Sequence, residues 1–372
     1  MRRRHLARLG ALVLGLALLA PAAPAAAEVT PAYTPGYYAW AIVRTPDAPA
    51  QTITGPDRVN GGGGGVAVTR SARGRWQVRF EGLAGAMGLS PGNFGVALVG
   101  PLTSDPTLCE VDEWGADSAD TIVLVSCRDR KTGGRVDRPF IVAFTFISPS
   151  ASVPSGRSAA YGWGDRAFDS GPITGYYTYL PAGGTIGSTR NGTGDYSLLL
   201  GDVPAAGGTV VLSDYGNQAS CTLGSWYEPD GLAGNTQVNV RCRGLDGAPM
   251  DTQVTLLRTI GGGLYPYGSP PTAYVWAEKS KVARYRPTSA YRFNSTGKAI
   301  IVSRTGKGVY SVLVKGQTGP GGTLATAYGP AGRACQASSL PSSRRSALVI
   351  GVRCFTVGGR PADSRFTLLW TK

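Results

Sequence analysis

Arg70-Ser71-Ala72-Arg73-Gly74-Arg75-Trp76-Gln77-Val78-Arg79-Phe80 holds an arginine, a glycine four positions on, and then a strict alternation of apolar and polar side chains. Period-two alternation puts Trp76, Val78 and Phe80 on one face of a β-strand and Gln77 and Arg79 on the other. The same frame returns without gaps at Arg190, Gly194, Tyr196, Leu198 and Leu200. It returns again at Arg304, Gly308, Tyr310, Val312 and Val314. Self-similarity at a long, near-regular period marks a repeat architecture before any other fold argument applies.

Other landmarks recur around this frame. Each unit opens with Tyr-x-Trp, at Tyr38 to Trp40, Tyr161 to Trp163 and Tyr274 to Trp276. Each carries two cysteines: Cys109 and Cys127, Cys221 and Cys242, Cys335 and Cys354, separated by 18, 21 and 19 residues. Apolar residues stand two and four positions before the second cysteine of each unit. A glycine and then Asp137, Asp251 or Asp363 follow it, with an apolar strand beginning at Phe140, Val254 or Phe366. Six cysteines allow fifteen connectivities, and their clustering favours the three local pairs. Closing a loop of that size is worth about 3 kcal/mol in the chain-entropy model.

The strong segments alternate with period two and are rich in Val, Thr, Tyr and Phe, and beyond the leader no helical periodicity persists for more than about two turns. The expected fold is all-β: three tandem antiparallel β-sandwiches of immunoglobulin-like type, each with one local disulfide. The expected boundaries are a cleaved signal peptide at 1–27, an N-terminal linker at 28–37 and sandwiches at 38–147, 161–259 and 274–372. Linkers rich in Pro, Ser and Gly fall at 148–160 and 260–273. The competing architecture is a single pseudo-threefold closure, of propeller or trefoil kind.

The leader has a basic start at Arg2, Arg3, Arg4 and Arg8, a short apolar stretch and then Ala25-Ala26-Ala27, so cleavage is expected after Ala27. Its apolar part is too short to span a bilayer as an ordinary helix. A secreted, extracellular protein without a transmembrane segment is expected, and export agrees with reading the cysteines as disulfides.

The composite unit is best seen in Gly308-Val309-Tyr310-Ser311-Val312, Ala327-Tyr328-Gly329, Cys335, Ile350-Gly351-Val352-Arg353-Cys354 and Gly359-Arg360-Pro361-Ala362-Asp363-Ser364-Arg365-Phe366. It resembles a group of uncharacterised secreted tandem-repeat β proteins from high-GC bacteria of actinobacterial and myxobacterial type. The first unit departs most, with Val99-Gly100 read in place of Tyr-Gly. The resemblance implies export and a β-fold, and it carries no activity over.

The single histidine, His5, lies in the leader. The usual general base and the usual zinc ligand are therefore missing from the mature chain, and oxidised cysteines offer no thiolate. What survives is carboxylate chemistry of the glycosidase kind, with Glu110, Asp112, Glu113, Asp117 and Asp120 as the acidic candidates, read as one loop. Such a cluster also suits Ca²⁺, but it lacks calcium-loop spacing. No catalytic residue, metal or cofactor is expected. The recurring Asp137, Asp251 and Asp363 read as turn formers. Arg70, Arg190 and Arg304 read as packing partners of the aromatic six positions on. The recurring tryptophans read as core anchors, and Trp114, Trp226 and Leu340 as one apolar slot.

Charge supplies the functional asymmetry. From Tyr38 to Ser150 there are 11 basic and 11 acidic residues, and from Tyr161 to Ile260 there are 5 and 9. From Tyr274 to Lys372 there are 16 basic residues against Glu278 and Asp363 alone. That unit opens with Lys279, Lys281, Arg284, Arg286 and Arg292 threaded between aromatics. With Arg304 they form the candidate site for an anionic surface polymer or lipid headgroup. Nucleic acid is a poor expectation for an exported chain. The expected function is a non-catalytic module for the cell envelope or for adhesion. The alternatives are a carboxylate-dependent polysaccharide hydrolase and a protein-binding spacer or inhibitor.

Overall fold

In each unit the alternating segments form the hairpins their pattern demands. Trp76, Val78 and Phe80 of strand Arg75–Phe80 are buried, while Gln77 and Arg79 face outward. The strand pairs with Val66–Ala72 across a turn at Gly74. Gly74, Gly194 and Gly308 all sit at positive φ, at 67°, 64° and 67°. A Cβ there would stand 2.7, 2.4 and 2.4 Å from the carbonyl oxygens of Cys127, Cys242 and Cys354. The glycine of the motif is thus required by the second cysteine of the same unit.

The computed structural model of the protein describes residues 36–88, 95–148, 154–173, 177–266 and 270–372. The leader 1–27, its cleavage point and most of the 28–37 linker fall outside these residues. The described chain is nearly all β. Each unit is a two-layer sandwich. In the first, an outer sheet runs Ala50–Thr52, Val66–Ala72, Arg75–Phe80, Asp120–Asp129, Thr107–Asp117. It packs on an inner sheet of Arg58–Asn60, Gly36–Val43, Phe140–Ile147 and Val96–Pro101, with Trp76, Val78, Val123, Ala41, Val142 and Phe144 between the layers. The three expected disulfides are formed, Cys109–Cys127, Cys221–Cys242 and Cys335–Cys354. In an immunoglobulin domain the disulfide bridges the two sheets. Here each joins directly opposed residues of neighbouring strands within one sheet.

Separate sandwiches on a string are not what the strands build. The outer sheet of one unit runs on into the inner sheet of the next. Thr107–Asp117 pairs in parallel with Thr209–Tyr215, and Ala219–Tyr227 with Gly322–Tyr328. A parallel bridge from Leu102 to Ala337 joins the third unit to the first. At the three junctions the amides of Gly216, Gly329 and Thr103 donate to the carbonyls of Val111, Leu223 and Ala337, at 3.1, 2.8 and 3.0 Å. The residue after each first cysteine crosses the same junction: Glu110 accepts the Gln218 amide, Thr222 donates to the Arg333 carbonyl, and Gln336 donates to the Thr103 and Asp105 carbonyls. These contacts join the three units, and the described residues form one compact unit rather than separate beads.

A fourth core lies where the three inner sheets meet. It gathers Trp40, Tyr161 and Tyr274, with Leu98, Val211 and Leu324. Inner strands are therefore buried on both faces, so they read as continuous apolar runs rather than as alternation. The segment read as the second linker contributes to this core. Leu264 and Tyr265 are buried, the Thr145 hydroxyl donates to the Leu264 carbonyl, and Tyr265 stacks on Tyr38.

Strand register also corrects the alignment of the first unit. Trp40, opposite Ala143, corresponds to Tyr161 opposite Leu257 and Tyr274 opposite Leu369. Trp163 and Trp276 correspond instead to Ile42, which faces Ile141. Likewise Leu102, not Val99, takes the place of Tyr215 and Tyr328. The slot of Trp114, Trp226 and Leu340 then has a clear purpose, because it fills the junctions. Trp114 packs against Trp163 and Tyr215 with ring centroids 5.5 and 5.6 Å away. Trp226 packs against Trp276 and Tyr328 at 5.5 and 5.3 Å. Leu340 packs on the cluster that contains Ile42 and Leu102.

Candidate anion-binding groove

What recurs in all three units proves to be scaffold. Arg70 and Asp137 form a bidentate pair at 3.0 and 2.8 Å, Arg190 and Asp251 at 3.1 and 2.7 Å, and Arg304 and Asp363 at 2.9 and 2.9 Å. The same aspartates accept the amides of Gly74, Gly194 and Gly308. Tyr196 and Tyr310 add their hydroxyls, whereas Trp76 turns its indole N–H to the Pro46 carbonyl. The arginine of the motif thus serves the aspartate of the motif rather than the neighbouring aromatic ring. Arg304, placed among the polyanion contacts by sequence, is neutralised by Asp363 and leaves that set.

The third unit keeps its remaining charge at the surface. Among the described residues, Arg304–Asp363 is the only ion pair its cations make within 4.0 Å. Glu278, its other acid, accepts the amide and hydroxyl of Thr288 and closes the loop that carries Lys279 to Arg286. Lys279 lies over the Tyr285 ring, 5.7 Å from its centroid. Lys281 and Arg286 are exposed on that loop.

The outer sheet of this unit presents a groove of about 1100 Å³. Arg284, Lys298, Lys315, Arg344 and Arg345 line it together with Leu313 and Ala347, and no carboxylate is among the lining residues. Backbone register explains the convergence. Lys315 lies opposite Ala347, and Arg344 lies opposite the same Ala347 on the other side. The Lys315 amide donates to the Ala299 carbonyl, which brings Lys298 to the same end of the sheet. Arg345 and Ser346 form the turn between Ser342–Arg344 and Ala347–Thr356. Both have positive φ, 43° and 61°, uncommon for residues of these types.

Of the six sequence-nominated residues, only Arg284 lines the groove. Arg292 lines a neighbouring cavity of about 280 Å³ with Lys298, and its guanidinium donates to the Pro287 carbonyl. Lys298, Lys315, Arg344 and Arg345 were not singled out from the sequence. They come from segments far apart in the chain, and their only local signal is the adjacent pair Arg344-Arg345.

The acidic candidates are not one loop. They lie on the hairpin Thr107–Asp117 and Asp120–Asp129, where Glu113 is exposed and the other four divide into two pairs. Asp117 and Asp120 pair with Arg79 at 2.6 and 2.8 Å. Glu110 and Asp112 face a cavity on the side of the second unit. Among the described residues, no group of three or more His, Cys, Asp or Glu side chains converges as a metal site would need. None of the helices among them is long and apolar enough to cross a membrane. No protein-family model, curated protein or solved structure matches the chain.

Proposed function

We propose that the protein is an exported, non-catalytic binding module that holds anionic polymers of a cell envelope or surface in the groove of its third unit. The observation that carries this reading is the convergence of Arg284, Lys298, Lys315, Arg344 and Arg345 on one groove without a carboxylate in its lining. One exposed charge contributes little to binding, but five aimed at one groove create a field that captures a polyanion and weakens with salt. The half-buried Leu313 at the same groove suits the apolar parts of a glycan or lipid-linked polymer.

The test is the salt needed to release the full chain from immobilised heparin and from phosphate-bearing wall polymer. Arg344→Ala with Lys315→Ala should elute at clearly lower salt than wild type. Lys279→Ala with Lys281→Ala, which removes equal charge outside the groove, should elute near wild type. Equal losses in the two variants would mean that net charge alone governs retention, and the groove would not be the site.

A further inference from the structure

The threefold repetition supplies its own control, because a feature found in one unit alone is not demanded by the shared scaffold. The cavity of about 500 Å³ beside the junction of the first and second units is such a feature. Glu110, Asp112, Arg75, Arg128 and Arg135 line it. Register builds it directly. Arg75, Ser126 and Glu110 stand side by side across three neighbouring strands, and Arg128 is bridged to Arg135. Asp112 is the extra residue of a bulge, and it accepts the Ser126 hydroxyl at 2.8 Å. The second unit supplies the turn at Gly216 to Gln218, three successive residues at positive φ, and the Gln218 amide donates to Glu110 at 2.7 Å.

Of the five charges, the second unit keeps only the counterpart of Arg128, which is Arg243. Where the first unit has Arg75, Glu110 and Arg135, the second has Asp195, Thr222 and Pro249, and the third has Val309, Gln336 and Pro361. Three guanidinium groups and two carboxylates share the cavity wall, yet among the described residues none of the five makes an ion pair within 4.0 Å. Opposite charges are held around a space rather than on one another.

We propose that this cavity binds a small zwitterion of the amino-acid or dipeptide class, its carboxylate toward Arg75, Arg128 and Arg135 and its ammonium toward Glu110 and Asp112. A simple anion would pair with the guanidinium groups alone and a simple cation with the carboxylates alone, each leaving the other set of charges without a partner. A ligand bearing both charges meets complementary groups at both ends. Burial, with Asp214 and Asp112 nearby, already raises the Glu110 carboxyl well above the ordinary range, and an ammonium beside it would relieve that cost.

The experiment is calorimetric titration of the full chain with L-alanine, L-glutamine and L-alanyl-L-alanine, alongside propionate and ethylamine, which each lack one charge. At least one zwitterion should bind at least about tenfold more tightly than either single-charge analogue. Arg75→Ala and Asp112→Asn should each weaken that binding by about tenfold or more while leaving heparin retention at the wild-type salt. Arg75 is exposed, so its variant keeps the fold even if Asp112→Asn does not. The proposal is overturned if no zwitterion binds at about 10 mM, if an analogue binds as tightly, or if Arg75→Ala binds as wild type does. Loss of heparin binding alone would strike the groove and leave this cavity standing.

Discussion

The carbonyl of Ala337 accepts the amide of Thr103 at 3.0 Å, and this bond closes the last unit onto the first. Beside it the Gln336 side chain, 2% exposed, donates to the carbonyls of Thr103 and Asp105 at 2.6 and 2.7 Å and accepts the Thr107 amide at 3.3 Å. Gln336→Ala leaves these backbone groups without their partner at a buried junction. Each unsatisfied group costs on the order of 1–3 kcal/mol, so a loss of about 3 kcal/mol is expected in urea unfolding. Because two junctions are continuous sheet and the third is held by a bridge and buried hydrogen bonds, wild type should unfold in one transition reported alike by fluorescence and circular dichroism. Three resolved transitions would contradict the ring.

The Arg–Asp pairs set the acid limb of stability. Arg304, with the Gly308 amide and Tyr310 hydroxyl, holds the Asp363 carboxyl at about 2 against an ordinary 3.8. Arg190 lowers Asp251 in the same way, and at Asp137 the Arg70 pair and Gly74 amide outweigh the opposing effect of burial. A carboxyl depressed in the folded state contributes stability that is fully present above its unfolded value and is lost as pH falls through the folded one. The melting temperature of wild type should therefore fall between about pH 4 and pH 2. Asp363→Asn should lower it at neutral pH and make that limb shallower. An unchanged limb would mean that the three pairs are not what acid breaks.

Much of this scaffold is legible in the sequence, and what is not has a physical reason. Trp76, Val78 and Phe80 announce a half-buried strand because one of their faces meets water. The inner strands, such as Phe140–Ile147, are covered on both sides and lose the alternation that would fix their register. That is why Trp40 is easily set against Trp163 when it belongs with Tyr161. Ring closure leaves almost no trace, since it rests on parallel contacts of one or two residues at each junction. Leu264 and Tyr265 sit among glycines and prolines and read as linker, although Leu264 belongs to the central core and Tyr265 is buried against Tyr38. The groove was legible as net charge, but its geometry depends on pairing Lys315 and Arg344 through Ala347.

Asp214 predicts the opposite pH behaviour at the first junction. Burial raises its carboxyl to about 7, against the attraction of Arg130 and the bond from the Cys221 amide. Its proton is held more tightly in the folded state, so its contribution is present below the unfolded value and is lost as pH rises toward 7. Asp214→Asn keeps a carbonyl for the Cys221 amide and removes the charge. This variant should gain stability relative to wild type as pH rises, with the difference growing between about pH 4 and pH 7. Thermal melts across that range check it, and a difference that shrinks with pH would reverse the assignment.

The last prediction separates stability from binding at the Arg345-Ser346 turn. Arg344 and Ala347 are direct cross-strand partners, so the two residues between them form a two-residue hairpin turn with positive φ at both positions. Asn-Gly meets that demand far better than Arg-Ser does. Replacing Arg345→Asn and Ser346→Gly together should relieve strain and stabilise the chain by roughly 1 kcal/mol. The Gly316 amide still has the backbone carbonyl of residue 346 to donate to, so the turn stays anchored. The same change removes one of the five cations of the groove. The double variant should therefore melt higher than wild type yet leave heparin at lower salt. If it melts higher and elutes at the wild-type salt, Arg345 does not touch the polymer. If it elutes earlier without melting higher, the turn carries no strain, and its arginine is explained by charge alone.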